Sequence, residues 1–310
     1  MSNEVLDNSR ISKHLGQTSS YKDQYDPDLL VNEPRCNNRK HLNIEDNNLP
    51  FVGFDTWNAY EVSALTNNGL PVAGVTKVIY PCDSKYIVES KSIKLYLNSY
   101  NMYRCGDTPE QVMEFIDTTA AKDLSLLLGT EVIVNTLPAS NRPTGDTVLS
   151  HDDYITLENI YTQEQLGEMT LDTYVESPDL LVVEDTHEAV STVTRYHSSL
   201  LKSNCRVTSQ PDWGDVYVMC EGHNHVTPDS LLKYIVSFRD ECHFHEEICE
   251  TLYKRLFDVL SPSRLCVTCL YARRGGIDIN PVRATDLPLI LQEAPDLGNC
   301  DVMHMKTSKQ

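Results

Sequence analysis

The feature that most constrains the fold is a weak internal repeat. The pattern Ser-x-x-x-Tyr-x-x-Ser-aromatic covers residues 92–100 (SIKLYLNSY) and returns 138 positions later at residues 230–238 (SLLKYIVSF). At the same offset, the predicted helix at 108–128 corresponds to the predicted helix at 246–260. The predicted strand at 130–137 corresponds to the predicted strand at 264–273. Self-similarity over such a distance predicts two related domains that are built in the same way.

Each half is predicted to begin with a strand and to continue with two helices and further strand. Apolar residues recur at helical spacing in both halves: Ile93, Tyr96, Leu97 and Tyr100, and later Ile248, Leu252, Leu256 and Val259. Alternation in residues 132–137 (VIVNTL) and 154–161 (YITLENIY) predicts antiparallel strands with one packed face and one exposed face. The predicted fold class is therefore α+β rather than doubly wound α/β.

The length of the chain agrees with a two-domain reading, because 310 residues correspond to two domains at roughly 150 residues each. Both ends are polar and aperiodic, and we expect them to be tails. The predicted organisation is a tail at 1–20, an N-terminal domain at 21–170, a C-terminal domain at 171–290 and a tail at 291–310.

The charge of the chain excludes several classes of partner. Forty-five acidic residues against 26 basic ones give a net charge of −19, which repels nucleic-acid backbones and anionic lipid surfaces. Residues 1–20 have no apolar stretch like that of a signal peptide, and no window is apolar enough to span a membrane. We therefore expect a cytoplasmic protein whose ten cysteines are mostly reduced.

Several common catalytic motifs are absent from the sequence. No Gly-x-Gly occurs and no glycine precedes a lysine, so the dinucleotide-binding fingerprint and the P-loop are both missing. Gly-x-Ser-x-Gly and His-Glu-x-x-His are also missing, which excludes the usual serine-hydrolase and zinc-protease signatures. Any nucleotide must therefore be bound in another way.

Cys205 is the candidate nucleophile. Lys202 and Arg206 flank it, and neighbouring cations lower the pKa of a thiol. Asp212 follows in Gln-Pro-Asp-Trp-Gly, where we expect a turn that directs the carboxyl group towards the sulfur. A thiolate beside an acid suits covalent catalysis. The alternative is an ordinary turn beside a packed cysteine, since free cysteine is among the most buried residue types.

Two carboxylates, Glu89 and Glu246, stand at the starts of predicted helices. Acidic residues there often serve only as caps or partners of the helix dipole. In a functional interpretation they would accept hydrogen bonds from the N–H edge of a purine-like ligand. His245 lies beside Glu246 and has the chemistry to transfer a proton near neutral pH, although a structural histidine is the alternative.

The stretch Arg273–Gly276 (RRGG) follows a predicted strand and is a candidate phosphate site, with a hairpin turn carrying solvated arginines as the alternative. Cys266 and Cys269 are predicted to lie on opposite faces of one strand and to belong to the core. A further set of residues matches no usual zinc spacing, so no metal site is predicted: His223, His225, Cys242, His243 and His245.

Taken as an ordered set, four motifs resemble the NADPH-dependent 7-cyano-7-deazaguanine reductases (QueF type) in their long, two-domain form. The motifs are ESKSIKLY at 89–96, SNC at 203–205 with QPDWG at 210–214, FHE at 244–246 and RRGG at 273–276. The similarity runs from about residue 20 to residue 283. It implies tandem tunnelling-fold domains, with antiparallel sheets whose helices pack on one face, and a homodimer.

The resemblance implies reduction of a nitrile to a primary amine, giving 7-aminomethyl-7-deazaguanine on the route to the queuosine of transfer RNA. Cys205 would form a covalent thioimide with the nitrile carbon, and Asp212 would supply a proton to nitrogen. His245 would assist proton transfer. Since four electrons are needed, two molecules of NADPH would be consumed.

The resemblance also assigns the binding residues. Glu89, Glu246 and His245 would contact the deazaguanine, with the backbone of Val88 and Ser90 close by. The NADPH contacts would come from Ser90, Lys91, Arg274 and Gly275. Because these residues come from both halves, the site is predicted to be a cleft between the domains.

Three other functions stay open on the sequence. A related enzyme could trap the nitrile as a thioimide and transfer ammonia to it, which would give an amidine without reduction. A non-catalytic purine or pterin binding module would need no nucleophile. A zinc hydrolase like the cyclohydrolases would need a metal.

Overall fold

A computed structural model describes residues 22–139, 153–185 and 191–310, so the predicted N-terminal tail lies outside the described residues. In chain order the strands and helices are β1 (Asn32–Pro34), α1 (Cys36–Arg39), β2 (Val52–Leu65), β3 (Pro71–Pro81), β4 (Tyr86–Val88), α2 (Ser90–Asn98), α3 (Pro109–Leu128), β5 (Ile133–Pro138), β6 (Ile155–Thr156), α4 (Gln163–Glu168), β7 (Val183–Asp185), β8 (Thr192–Asn204), β9 (Pro211–Gly222), β10 (Asn224–Val226), α5 (Pro228–Ser237), α6 (His245–Leu260), β11 (Arg264–Tyr271), β12 (Ile277–Ala284) and α7 (Leu287–Glu293).

One eight-stranded sheet runs through both halves in the order β5-β3-β2-β12-β11-β9-β8-β6. The halves meet where β2 and β12 pair antiparallel, with Thr56 opposite Asn280. In each half two long strands precede two helices and a further strand, β2-β3-α2-α3-β5 and β8-β9-α5-α6-β11. The predicted α+β class with antiparallel strands is confirmed.

The face of the sheet on which each helix packs follows from the alternation of side chains along the strands. Val216 and Val218 of β9 belong to a core cluster with residues of α5 and α6, whereas Tyr217 and Met219 belong to a cluster with residues of α7. Helices α2 and α3 cover β2 and β3 in the same manner. The prediction that the helices pack on one face of the sheet thus holds for these four helices. It is wrong for α7, which packs on the opposite face because the apolar side chains of Leu289 and Ile290 are buried there.

The predicted antiparallel strand at residues 154–161 is wrong. Only Ile155 and Thr156 form a strand, and it pairs parallel with β8. Leu157 is fully buried and begins a short 3₁₀ turn. The adjacent carboxylate of Glu158 accepts hydrogen bonds from Ser199 N (2.7 Å) and Ser198 Oγ (3.0 Å), where the β8–β9 pairing is irregular. These side-chain contacts replace the strand pairing that the alternation suggested.

A buried ionic cluster joins the N-terminal segment to both halves. Arg283 Nη1 lies 2.8 Å from Asp55 Oδ1, and Arg283 Nη2 lies 2.9 Å from Glu250 Oε1. Arg35 pairs with Asp55 at 2.5 Å, and Arg39 pairs with Glu250 at 2.9 Å. The cluster therefore links β2, α6 and β12 to the chain that precedes β2.

Residues 291–310, predicted as a tail, pack in part against the sheet. Leu297 and Met303 are buried. The ammonium group of Lys77 on β3 donates to the main-chain oxygens of Asp296 (2.5 Å), Asn299 (2.6 Å) and Val302 (3.1 Å). Among the helices of the described residues, none is both long and apolar enough to cross a membrane.

Candidate active site

A cavity of about 170 Å³ lies between the two halves of the chain. The first half contributes three of the predicted site residues, Glu89, Ser90 and Lys91. The second half contributes five others, Cys205, Asp212, His245, Arg274 and Gly275. Val88 and Glu246 do not line the cavity, and both are buried. The long-range pairing of β2 with β12 brings these distant parts of the sequence together.

Cys205 follows β8 in a tight turn that leads into β9. Its N–H donates to the oxygen of Gln210 at 2.8 Å, and its own oxygen accepts from Ser209 N at 2.9 Å. Ser209 adopts a left-handed backbone with a φ of 53°. The turn leaves Cys205 only 8% exposed, with its side chain lining the cavity.

The prediction that Asp212 lies in a turn is wrong. It lies in β9, where it pairs opposite Ser203 of β8. Pro211 is tolerated as the first residue of the strand, because a strand end does not require its N–H. Cys205 and Asp212 are therefore held at the same end of one hairpin, and the aspartate is only 4% exposed.

The cation beside the thiol is not one of the two that flank it in sequence. Lys202 Nζ donates to Asn204 Oδ1 at 2.8 Å, and Arg206 pairs with Glu247 at 2.8 Å. Arg274 instead lines the same cavity as Cys205, and its guanidinium donates to Asp212 Oδ1 and to Thr208 Oγ1 (3.0 Å). Burial opposes the charge on Arg274, but the carboxylate of Asp212 and the sulfur of Cys205 raise the pKa of its guanidinium.

Arg274 begins a two-residue hairpin that connects β11 to β12. Its N–H donates to the oxygen of Ile277 at 2.9 Å, and the reverse bond measures 3.2 Å. Gly275 and Gly276 occupy the turn with φ values of 59° and 79°, a region that favours glycine. Arg273 leaves the hairpin on another side, where its Nε donates to the oxygen of Gln310 at 3.0 Å. The RRGG stretch is thus a hairpin turn that also lines the cavity.

Glu89 caps helix α2 and also lines the cavity. Its Oε1 accepts from Lys91 N at 2.9 Å and its Oε2 accepts from Ser92 N at 2.7 Å. Each oxygen retains a second lone pair. The capping role therefore leaves Glu89 able to accept a further donor from a ligand.

Helix α6 begins at His245, with Glu246 next along the helix. Burial lowers the pKa of His245 to about 4, and its ring meets that of Tyr271 edge to face at 4.1 Å. Burial and the charge of Asp55 raise the pKa of Glu246 to about 8. Its Oε1 lies 3.4 Å from the hydroxyl of Tyr80.

His243 also lines the cavity. From the sequence it was only one of a set of residues that match no usual zinc spacing. Its Nε2 lies 3.1 Å from Glu241 Oε2 and its Nδ1 lies 3.3 Å from Glu247 Oε2. Burial alone would lower the pKa of His243, but these two carboxylates raise it to about 9. The sequence pattern Glu-x-His-x-x-x-Glu at residues 241–247, where α6 begins, could have indicated that His243 pairs with two carboxylates.

The histidines and cysteines named above do not converge on one point. His225 contacts Thr192 Oγ1 (2.7 Å) and Thr194 Oγ1 (3.2 Å), whereas His243 contacts two carboxylates. Within residues 22–139, 153–185 and 191–310, no three His, Cys, Asp or Glu side chains are placed to hold a metal ion. Cys266 and Cys269 are buried in clusters on opposite faces of the sheet, as predicted.

The cavity has the groups that a phosphorylated cofactor needs. Lys91, Lys94 and Arg274 bring positive charge to its walls in an otherwise acidic chain. The left-handed backbone at Gly275 and Gly276 presents a surface without side chains next to these cations. A phosphate group fits such a combination of cations and close backbone.

Comparison with protein families supports the same identification. Residues 21–136 match the family described as "Nitrile reductase, 7-cyano-7-deazaguanine-reductase N-term", and residues 211–288 match the family described as "QueF-like protein". A solved structure, the archaeosine synthase QueF-Like in the apo form, matches 33% of this chain and 99% of its own at 17% identity. Its TM-score of 0.28 is too low to say anything about the fold.

Three curated relatives carry the name NADPH-dependent 7-cyano-7-deazaguanine reductase. The Legionella pneumophila (strain Corby) protein is 38% identical over 91% of this chain and 93% of its own. The Rickettsia massiliae protein is 40% identical over 88% of this chain and 92% of its own. The Colwellia psychrerythraea protein is 37% identical, with coverage of 88% and 91%. With similarity of this extent and a cavity carrying the motif residues, the chain belongs to the NADPH-dependent 7-cyano-7-deazaguanine reductase family.

Proposed function

We propose that this chain reduces the nitrile of 7-cyano-7-deazaguanine to the primary amine of 7-aminomethyl-7-deazaguanine, at the expense of NADPH, in queuosine biosynthesis. One observation carries the proposal: Cys205, Asp212 and His245, which lie on a turn, a strand and a helix, converge in one cavity. Membership of the reductase family supplies the reaction.

The first step is addition of the thiolate to the nitrile. The sulfur of Cys205 bonds to the nitrile carbon, and the carbon–nitrogen triple bond becomes a double bond. The proton that the thiol gives up passes through the carboxylate of Asp212 to the nitrile nitrogen, and the product is a neutral thioimide attached to Cys205. The hairpin of β8 and β9 holds the two residues at one end, so both can reach the same nitrile.

When bound, NADPH supplies hydride, and two molecules are needed because a nitrile and an amine differ by four electrons. Between the two reductions the carbon–sulfur bond breaks and Cys205 leaves as a thiolate. His245 is neutral at pH 7, so it can accept a proton from Asp212 or return one to it across their separation of 3.8 Å once substrate closes the site. The buried site limits access of water to the thioimide.

Recognition of the deazaguanine belongs to Glu89 and Glu246, with the backbone of Val88 and Ser90. The free lone pairs of Glu89 accept one N–H, while Glu246 accepts others after losing its proton. The NADPH phosphates and ribose are held by four residues that line the cavity: Ser90, Lys91, Arg274 and Gly275.

We extend the proposal to the architecture and setting. The repeated element order supports two tunnelling-fold domains, at 21–170 and 171–290, in one continuous sheet. The protein would act as a cytoplasmic homodimer on a free base rather than on a nucleic acid or at a membrane. The net charge of −19 supports the choice of a small substrate over a polyanion.

The proposal is tested by NADPH oxidation on addition of 7-cyano-7-deazaguanine, with the product identified by mass. We expect two NADPH consumed per aminomethyl product, and no turnover in Cys205→Ala. Cys242→Ala is the matched control, because Cys242 is exposed and does not line the cavity. A covalent nitrile adduct on Cys205 without NADPH consumption would contradict reduction and favour amidine chemistry.

A further inference from the structure

We propose that Arg274 is a catalytic residue that activates Cys205, in addition to its proposed role in binding NADPH. The guanidinium is the cation that favours the thiolate before the nitrile arrives. This inference rests on the proposed function, because it takes Cys205 as the nucleophile.

The position of the guanidinium carries the inference. Its Nη1 donates to Asp212 Oδ1, and its Nη2 donates to Thr208 Oγ1 at 3.0 Å. Thr208 belongs to the tight turn that Cys205 closes, and Cys205 lines the same cavity as Arg274 and Asp212. The sulfur of Cys205 is also among the groups that raise the pKa of the guanidinium. Arg274 therefore bridges Asp212 to the turn that carries the nucleophile.

The charges around the thiol explain why Arg274 is needed. A carboxylate beside a thiol opposes its ionisation, and Asp212 is such a carboxylate. Arg274 pairs with Asp212 and so reduces the repulsion that this carboxylate exerts on a thiolate. His245 is uncharged at neutral pH because burial lowers its pKa to about 4, so it offers no compensating charge.

The other cations near Cys205 are engaged with different partners. Arg206 pairs with Glu247, and His243 lies between Glu241 and Glu247, so both positive charges are balanced. Lys202 donates to Asn204 and to the oxygen of Arg239. Lys94 lies 3.8 Å from Glu61. Arg274, by contrast, pairs with Asp212 and with the turn that carries Cys205.

Arg273 provides a matched control. It is adjacent in sequence and carries the same charge, but its guanidinium lies 4.0 Å from the ring centroid of Tyr60 and donates to Gln310. Replacing either arginine by methionine changes the net charge equally. A difference between the two variants therefore reports position rather than overall charge.

The experiment measures alkylation of Cys205 by iodoacetamide as a function of pH, with nitrile and NADPH both omitted and the labelled peptide quantified by mass. For Arg274→Met we expect labelling near neutrality to be about tenfold slower, because the cation that favours the thiolate is lost. Arg274→Lys should recover part of the rate, and Arg273→Met should match the unsubstituted protein. Circular dichroism identifies any variant that does not fold, and Arg274→Gln then replaces it.

An unchanged pH profile in folded Arg274→Met or Arg274→Gln would overturn the proposal. So would an equal shift in Arg273→Met, since the effect would then be one of net charge. A separate measurement tests the proposed function. If the unsubstituted protein forms no adduct with the nitrile, the proposed reductase activity is wrong, whatever the alkylation experiment shows for Arg274.

Discussion

The Nε2 atom of His245 lies 3.8 Å from Oδ1 of Asp212. Despite this carboxylate, burial lowers the pKa of His245 to about 4. The imidazole is thus neutral at pH 7. A histidine with an ordinary pKa would be partly protonated there, and its positive charge would repel that of Arg274.

We predict that His245 titrates near pH 4, which NMR of the ring protons can measure. Its pKa in the folded protein lies below its unfolded value, so the unfolded chain binds more protons between about pH 4 and 6.5. The stability associated with neutral His245 is therefore present above that window and lost as the pH falls through it. A measured midpoint above 6 would contradict the assignment.

Binding of the deazaguanine should release a proton from Glu246. Burial raises the pKa of its carboxyl group to about 8, and two N–H donors of the ligand favour the ionised form. Affinity should therefore increase as the pH rises from 6 to 8. Calorimetry in buffers of different ionisation enthalpy measures the proton directly, and Glu246→Gln should bind more weakly and release none. Equal proton release in that variant would remove Glu246 from the site.

The cysteines should differ strongly in reactivity. Burial raises the pKa of Cys82 to about 11 and that of Cys220 to about 12, so neither should react near neutrality. We expect iodoacetamide to label Cys205 and the exposed Cys242 first, and bound nitrile to protect only Cys205. Peptide mass spectrometry distinguishes the sites. Protection of both cysteines, or of neither, would argue against a nitrile bound at Cys205.

Gly276→Ala should disturb the hairpin that carries Arg274. A Cβ atom there would lie 2.5 Å from Glu61 Cδ, and the φ of 79° is unfavourable for alanine. We expect a loss of about 1–3 kcal/mol in the free energy of unfolding and a higher KM for NADPH. Gly167→Ala is the control, since its Cβ would meet nothing within 4 Å. Urea unfolding and initial rates measure both effects, and a stable variant with unchanged KM would contradict them.

Glu250→Gln should be strongly destabilising. Burial alone would raise the pKa of Glu250, but Arg283, Arg39 and Arg35 lower it to about 2. Removing its charge leaves Asp55 as the acidic partner of Arg35 and Arg283, and the more exposed Asp46 as that of Arg39. We therefore expect a cost of about 3–5 kcal/mol in urea unfolding. The exposed Glu45→Gln should cost little.

The same carboxylate predicts acid sensitivity. Because the folded pKa of Glu250 lies below the unfolded value, its contribution to stability is present above about pH 4.5 and is lost as the pH falls towards 2. Thermal unfolding across that range should be steeper in pH for the unsubstituted protein than for Glu250→Gln. If the stability of the two proteins depended on pH in the same way, the buried ionic cluster would not depend on the charge of Glu250.

The sequence determined much of the fold because its signals are local. The repeat at 92–100 and 230–238 corresponds to helices α2 and α5 in equivalent places of the two halves. The side chain of Thr108 caps α3 by accepting from Gln111 N, a pairing between residues only three positions apart. Apolar periodicity and capping depend on residues within one or two turns, so they can be read without knowledge of the rest of the chain.

Tertiary structure decided the electrostatics of the site. Sequence neighbours suggested Lys202 and Arg206 as the cations at Cys205, yet the β11–β12 hairpin places Arg274 in the same cavity, where it pairs with Asp212. The pKa of His245 is lowered and that of His243, which lies between two carboxylates, is raised, although only Phe244 separates them in sequence. Burial and charge pairing set these properties, and both depend on which distant strands the sheet brings together.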